Sequence, residues 1–270
     1  MPVIDNHTHL DFAPFDLDPD EQPLDVGEAM DRARVVNVTQ VIQVGCDLDA
    51  ARWTVRVAGK VAGVHGAVAL HPNEVPPLAR SGQLDAALAE IEELAGDPHV
   101  VAVGESGLDH YRTDEADWSV QEHAFRAHIE IAKRVGKPLQ IHDRDAHADV
   151  LRVLEEAGAP DAVVFHCFSG DEAMARYAVR RGYFLSFAGT VTFRNAVPLR
   201  EALVTVPAGQ LLVETDAPFL TPEPYRGRPN SPYLVPLTLR AMASVRGEPL
   251  TALAEATSRT AGRVYGLAVP

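Results

Sequence analysis

Cysteine is nearly missing from this chain of 270 residues, where Cys46 and Cys167 are the only two. Two thiols neither staple a chain of this length nor form a Cys-x-x-Cys pair, so reduced, structural cysteines are expected. Long apolar runs are missing too, and nothing approaches the roughly 20 residues that a membrane-spanning helix needs. The opening MPVIDNHTHL has neither the basic stretch nor the apolar core of a signal peptide, from which a cytoplasmic location is expected. Positive charge is scarce: 24 Lys and Arg face 38 Asp and Glu, a formal net charge of −14. Such a chain repels polyanions and anionic lipid at long range, so an anionic substrate must be captured locally, by bound cations or a few arginines.

What remains is an ordinary globular composition, 46% hydrophobic and 23% charged. A length near 250 residues suits one large barrel, so a single domain over residues 1–270 is expected, with a monomer as the default state. Short apolar runs rich in Val, Ile and Ala fall at 3–9, 38–46, 64–71, 100–105, 138–142, 162–168, 183–188 and 211–216. Segments of helical period separate them at 25–36, 48–59, 82–95, 119–135, 146–157, 171–181 and 196–204, and two more follow at 233–246 and 251–265. Strands with little period-two alternation suit a sheet covered on both faces. Eight such units predict a parallel (β/α)8 TIM barrel, with the open doubly wound sheet as the alternative. Residues 11–23 and the Pro/Gly-dense 218–232 (PFLTPEPYRGRPNSP) read as loops.

His7 and His9 are two apart on the first strand, so both imidazoles leave one face and can reach one metal. A His-Thr-His could equally be two surface histidines, but Glu105, His142, His166 and Asp216 also fall where predicted strands end. That edge is where barrel active sites lie. Buried imidazoles and carboxylates gathered without a cation suffer desolvation and like-charge repulsion, and divalent ions relieve both. Six ligands exceed one tetrahedral zinc site, so two ions are expected. His7, His9 and Asp216 would hold the first, His142 and His166 the second, and Glu105 would bridge them.

At this point the chain resembles the TatD-type metal-dependent hydrolases, a branch of the amidohydrolase-like barrels that includes deoxyribonucleases. The resemblance rests on IDNHTHLDF, ALHP, VGESGLDHY, KPLQIHDRDA, FHCFSG, GYFLSFAGTVTFRNA and LLVETDAPFLTPEPYRGRPNSP, spread nearly end to end. It implies metal ligation by His7, His9, Glu105, His142, His166 and Asp216. It also implies a 3′–5′ exonuclease acting on a DNA end through a metal-bound hydroxide. Glu105 stands where related barrels often carry a carboxylated lysine, and the only lysines are Lys60, Lys133 and Lys137, which disfavours a lysine-bridged site. The chain departs from the family pattern at Ser106 and His110, the latter where a tyrosine is usual.

Asp216 could also accept the water proton as general base. His71, before Pro72, could touch substrate phosphate or serve as a loop cap. Among Arg112, Arg144, Arg194, Arg226 and Arg228, Arg226 is the best candidate for gripping phosphate, while Asn230 could cap the following helix. Glu214, two residues before Asp216, could orient a ligand from behind. His65, His99, His123, His128 and His147 read as structural or surface residues. Imidazole-rich ligation leans toward Zn²⁺ or Mn²⁺, whereas the family's nucleases use Mg²⁺, so the ion stays open. The same site could activate water against a small phosphoester, lactone or amide, and a non-enzymatic metal scaffold is the third reading.

Overall fold

The computed structural model describes residues 2–12 and 25–269. Among them, eight strands form one parallel sheet in chain order: β1 (Val3–Thr8), β2 (Val38–Gly45), β3 (Val64–Val68), β4 (Val100–Asp109), β5 (Leu139–Arg144), β6 (Val163–Phe165), β7 (Phe184–Phe187) and β8 (Leu211–Val213). The sheet closes through Thr8, which bridges in parallel to Ala217. The His9 N–H donates to the Ala217 carbonyl at 2.7 Å, and the Asp216 N–H donates to the His7 carbonyl at 3.0 Å. The fold is a (β/α)8 barrel, not the open sheet.

The helices are α1 (Val26–Val35), α2 (Leu48–Ala58), α3 (Val75–Arg80), α4 (Leu84–Ala95), α5 (Trp118–Val135), α6 (His147–Ala157), α7 (Glu172–Arg180), α8 (Val197–Thr205), α9 (Val235–Arg246) and α10 (Leu250–Tyr265). Asp25, Asp47 and Asp171 start α1, α2 and α7 by accepting the backbone N–H three residues on, the orphan donor that an N-cap satisfies. Among the described residues no helix is long and apolar enough to cross a membrane. Helix α3 was not expected, because two prolines hide its short period. The loop expected at 11–23 lies mostly outside the described residues.

Ile4, Ile42, Val44, Ala67, Ala102, Val164 and Leu212 pack in one cluster with Ala261, Val264 and Tyr265. Strands from opposite sides of a closed barrel meet only inside it, so this is the barrel interior, plugged at one end by α10. The larger cluster lies between the strands and the outer helices.

The strand limits differ from those expected, and the differences place the site. β4 does not stop at Glu105 but runs to Asp109, so Glu105 lies within the strand. β5 likewise passes His142 and ends at Arg144. Gly107 makes that extension possible: it pairs with His142, and a Cβ there would sit 2.0 Å from the His142 carbonyl oxygen. β6 and β8 are shorter than expected, ending at Phe165 and Val213, so His166 and Asp216 stand on the turns beyond. Asp216 has φ of 55°, a conformation strained for most residues but open to aspartate.

Candidate metal centre

Despite these shifts, the fold brings all six predicted ligand residues to one end of the barrel. Glu105 is the centre. Its Oε2 faces His7 Nε2 at 3.5 Å and His9 Nε2 at 3.8 Å, and its Oε1 faces His142 Nδ1 at 2.6 Å and His166 Nε2 at 2.9 Å. Asp216 Oδ1 stands on the first side, 3.4 Å from His9 and 3.9 Å from His7. The carboxylate thus divides the histidines into two pairs, one per oxygen.

Each of these imidazoles donates its far nitrogen to a fixed acceptor. His9 Nδ1 bonds the Val44 carbonyl at 3.1 Å, His7 Nδ1 bonds Gln140 Oε1 at 3.1 Å, and His166 Nδ1 bonds Glu214 Oε1 at 3.1 Å. Those acceptors require a proton on Nδ1, so Nε2 is the nitrogen that faces Glu105 and is available to a metal. His142 is turned round, with Nε2 against Asp109 Oδ2 at 3.2 Å and Nδ1 inward. Acceptors behind an imidazole fix its tautomer and strengthen it as a ligand. The bare Nε2 atoms of His7 and His9 face each other at 3.3 Å, an arrangement of two lone pairs that calls for a cation or a proton between them. The donor set therefore fits divalent metal.

The electrostatics agree. Burial alone would raise the Glu105 carboxyl pKa, but His166, His71 and the bond from His142 hold it well below its usual value. Burial opposes charge on His166, and Glu105 and Glu214 outweigh it, lifting that imidazole well above its ordinary pKa. His9 and His142 are raised in the same way, by Asp216 and by Asp109 with Glu105. The imidazoles onto which these carboxylates pull protons are the groups that would release them on binding a metal.

A model of the TatD-related DNase family matches residues 4–266. The chain belongs to the TatD family. An uncharacterized metal-dependent hydrolase TatD of Mycobacterium tuberculosis is 49% identical over 98% of each chain. A 3′-5′ ssDNA/RNA exonuclease TatD of Cronobacter sakazakii is 33% identical over 97% of each chain. Among solved structures, the TatD homologue YjjV of Escherichia coli superposes with a TM-score of 0.86, at 27% identity over 98% of each chain. The protein is a metal-dependent hydrolase of this family, and its His/Glu clusters could hold the metal.

The TatD barrel places the remaining candidates unevenly. His71 lies 3.6 Å from Glu105 through Nε2, and its ring meets that of His142 edge-on. Its Nδ1 accepts the Asn73 N–H at 3.1 Å, so the proton sits on Nε2. Burial, then the charge of His142, pushes its pKa down to about 3, which keeps it neutral with Nε2 toward Glu105; it also groups with Asp109 and His142 as a donor set that could hold an ion. Arg226 stacks over Phe193 at 4.1 Å in a groove of about 390 Å³ shared with Phe219, Leu220 and Arg228. The Phe219 ring lies 6.1 Å from that of His9, so the groove adjoins the centre. Asn230 does not cap a helix. Its amide donates to the carbonyls of Thr215 at 2.8 Å and Phe219 at 2.7 Å, pinning the loop on either side of Asp216. His110 stacks on Trp118 at 3.8 Å, and Tyr111 beside it lies under Arg144 at 4.1 Å. Arg112 offers its backbone N–H to Asp109, and Arg194 its carbonyl to Arg200.

The sequence reading missed Gln140, Asp109 and Asp5. Asp5 accepts the Thr215 N–H at 2.8 Å and the Thr215 hydroxyl, tying β1 to the turn that carries Asp216. Polar residues at 5, 6 and 140 inside apolar strands were the available signal.

Proposed function

We propose that this TatD hydrolase is a deoxyribonuclease of the 3′–5′ exonuclease type, working with two divalent ions shared across Glu105. The observation that carries the reading is the division of the Glu105 oxygens between two histidine pairs. Metal ligation by His7, His9, Asp216 and Glu105 on one side, and by His142, His166 and Glu105 on the other, follows from it. Bound ions of this kind lower the pKa of water and neutralise charge on a phosphoryl group. Asp216 stands at the rim of the first site, where it could take the water proton. The neutral His71 offers its Nε2–H to a phosphate oxygen.

Two features favour a strand end over a small ester. The groove carries the Phe219 ring as an aromatic surface for a base, and Arg226, stacked on Phe193, and Arg228 supply local positive charge on a chain of net charge −14. Phe12, exposed and edge-on to both His9 and Phe219, extends the aromatic rim. The reading also draws on the exonuclease named among the relatives.

The test is incubation of the purified protein with end-labelled single-stranded and duplex DNA, single-stranded RNA, phosphoesters, lactones and acylated amino acids, each with Mg²⁺, Mn²⁺, Zn²⁺ or chelator. Stepwise shortening from the 3′ end, abolished by chelator and by Asp216→Asn, is expected. Turnover of a lactone, amide or small phosphoester with no metal-dependent loss of DNA would give the site to that substrate instead.

A further inference from the structure

Beneath the centre, buried side chains form a hydrogen-bond chain whose donors all run one way. His7 Nδ1 donates to Gln140 Oε1 at 3.1 Å, and Gln140 Nε2 donates to the Tyr265 hydroxyl at 2.9 Å. Tyr265 donates to Asn6 Oδ1 at 2.9 Å, and Asn6 Nδ2 donates to Ser186 Oγ at 2.6 Å. Ser186 donates to Glu214 Oε2, whose other oxygen accepts from His166 Nδ1 at 3.1 Å. The chain begins on a histidine of one pair and ends on the carboxylate that holds a histidine of the other.

No link in it is free to reverse. Gln140 Nε2 also donates to the Asn6 carbonyl at 2.9 Å, and a carbonyl only accepts, so the amide cannot flip. Oε1 must therefore face His7, and His7 must carry its proton on Nδ1. The hydroxyl of Tyr265 is the junction, since it orients both Gln140 and the Asn6 side chain. It is a polar atom carried into the apolar plug that α10 forms with Ala261 and Val264. Packing alone would be served by phenylalanine there, because a buried hydroxyl is costly unless bonded.

We propose that Tyr265, the last residue of α10, is a positioning residue for the metal centre. It holds Gln140, whose amide sense the Asn6 carbonyl already sets, at the angle that presents Oε1 to His7, and through Asn6, Ser186 and Glu214 it links that setting to His166. The proposal rests on an ion bound at His7 and is independent of which bond the hydrolase cuts.

The test compares Tyr265→Phe, Gln140→Met and Gln140→Glu with the unaltered protein, each stripped with chelator and titrated with Mn²⁺. Melting temperature and the ¹⁵N resonances of the His7 ring are recorded alongside. Loss of a partner behind a metal-bound imidazole weakens affinity about 10- to 100-fold. Tyr265→Phe and Gln140→Met should show that loss at one site together with a shifted or exchange-broadened His7 Nδ1–H signal. Gln140→Glu, buried as a protonated carboxyl whose O–H replaces the amide donor to the Asn6 carbonyl and whose C=O keeps an acceptor for His7, should recover most of the affinity. Unchanged Mn²⁺ affinity and His7 signal in folded Tyr265→Phe would overturn the proposal, as would Gln140→Glu binding as poorly as Gln140→Met. Should Gln140→Met not fold, Tyr265→Phe and Gln140→Glu decide without it. Failure to cut DNA would leave these readouts intact, whereas absence of Mn²⁺ binding by the unaltered protein would remove both the metal reading and this proposal.

Discussion

Glu105 Oε1 meets Nδ1 of His142 at 2.6 Å, while His7, His9 and His166 all turn Nε2 toward the same carboxylate. The reversal of one imidazole follows from the strand that carries it. His142 pairs with Gly107, between Glu105 and Asp109 on the extended β4, so its Nδ1 meets the first carboxylate and its Nε2 the second. One carboxylate is thereby served from four directions.

Because both Glu105 oxygens are engaged, Glu105→Gln should reduce ion content from the proposed two per chain to one or none. The uncharged amide keeps one acceptor oxygen and puts an NH₂ where the other stood. Metal analysis after gel filtration reads this directly; two retained ions would remove Glu105 from the bridging role.

Asp216→Asn should lower kcat by about 10²- to 10⁴-fold, the range for loss of a positioned base, with little change in melting temperature. Near-normal turnover would mean that the proton leaves by another route.

His71 and His142 should separate cleanly. His71→Ala is expected to reduce kcat/KM about 10²-fold, as for loss of one donor to a charged oxygen, while ion content stays unchanged. His142→Ala should lose ion. Metal analysis beside kinetics distinguishes the two, and ion loss in His71→Ala would make that residue a ligand or a support.

Stability should fall in acid because of His128, which lies away from the ligands. Its Nδ1 donates to the Ala124 carbonyl at 2.7 Å and its Nε2 accepts the Leu70 N–H at 3.1 Å, so it is buried neutral, and burial lowers its pKa to about 4. An unfolded histidine takes up a proton near pH 6.5, and the folded one does not until about 4. The unfolded state therefore gains as pH drops from 6.5 to 4, and the protein loses on the order of 3 kcal/mol from this residue across that window. Urea melts at pH 7 and pH 5 on the unaltered protein and His128→Leu should show a smaller pH difference in the variant.

Much of this was legible in the chain. The barrel could be read because each βα unit is short and local, so apolar runs and helical period mark it without knowledge of the partners. His7 and His9 could be paired because residues two apart on a strand share a face whatever the strand packs against. The limits of β4, β5, β6 and β8 could not be read in the same way, since a strand ends where its neighbour stops offering hydrogen bonds. Glu105 and His142 therefore lie inside strands, and His166 and Asp216 beyond them.

The composition of the chain, its βα repeat and the six ligand types at the ends of apolar runs were determined by the sequence itself, through periodicity and side-chain chemistry. Which nitrogen each histidine turns inward, and which oxygen of Glu105 it meets, was decided only in three dimensions. Those choices depend on acceptors up to 133 residues away, as with Gln140 behind His7, and only closure of the barrel brings them within 3.1 Å.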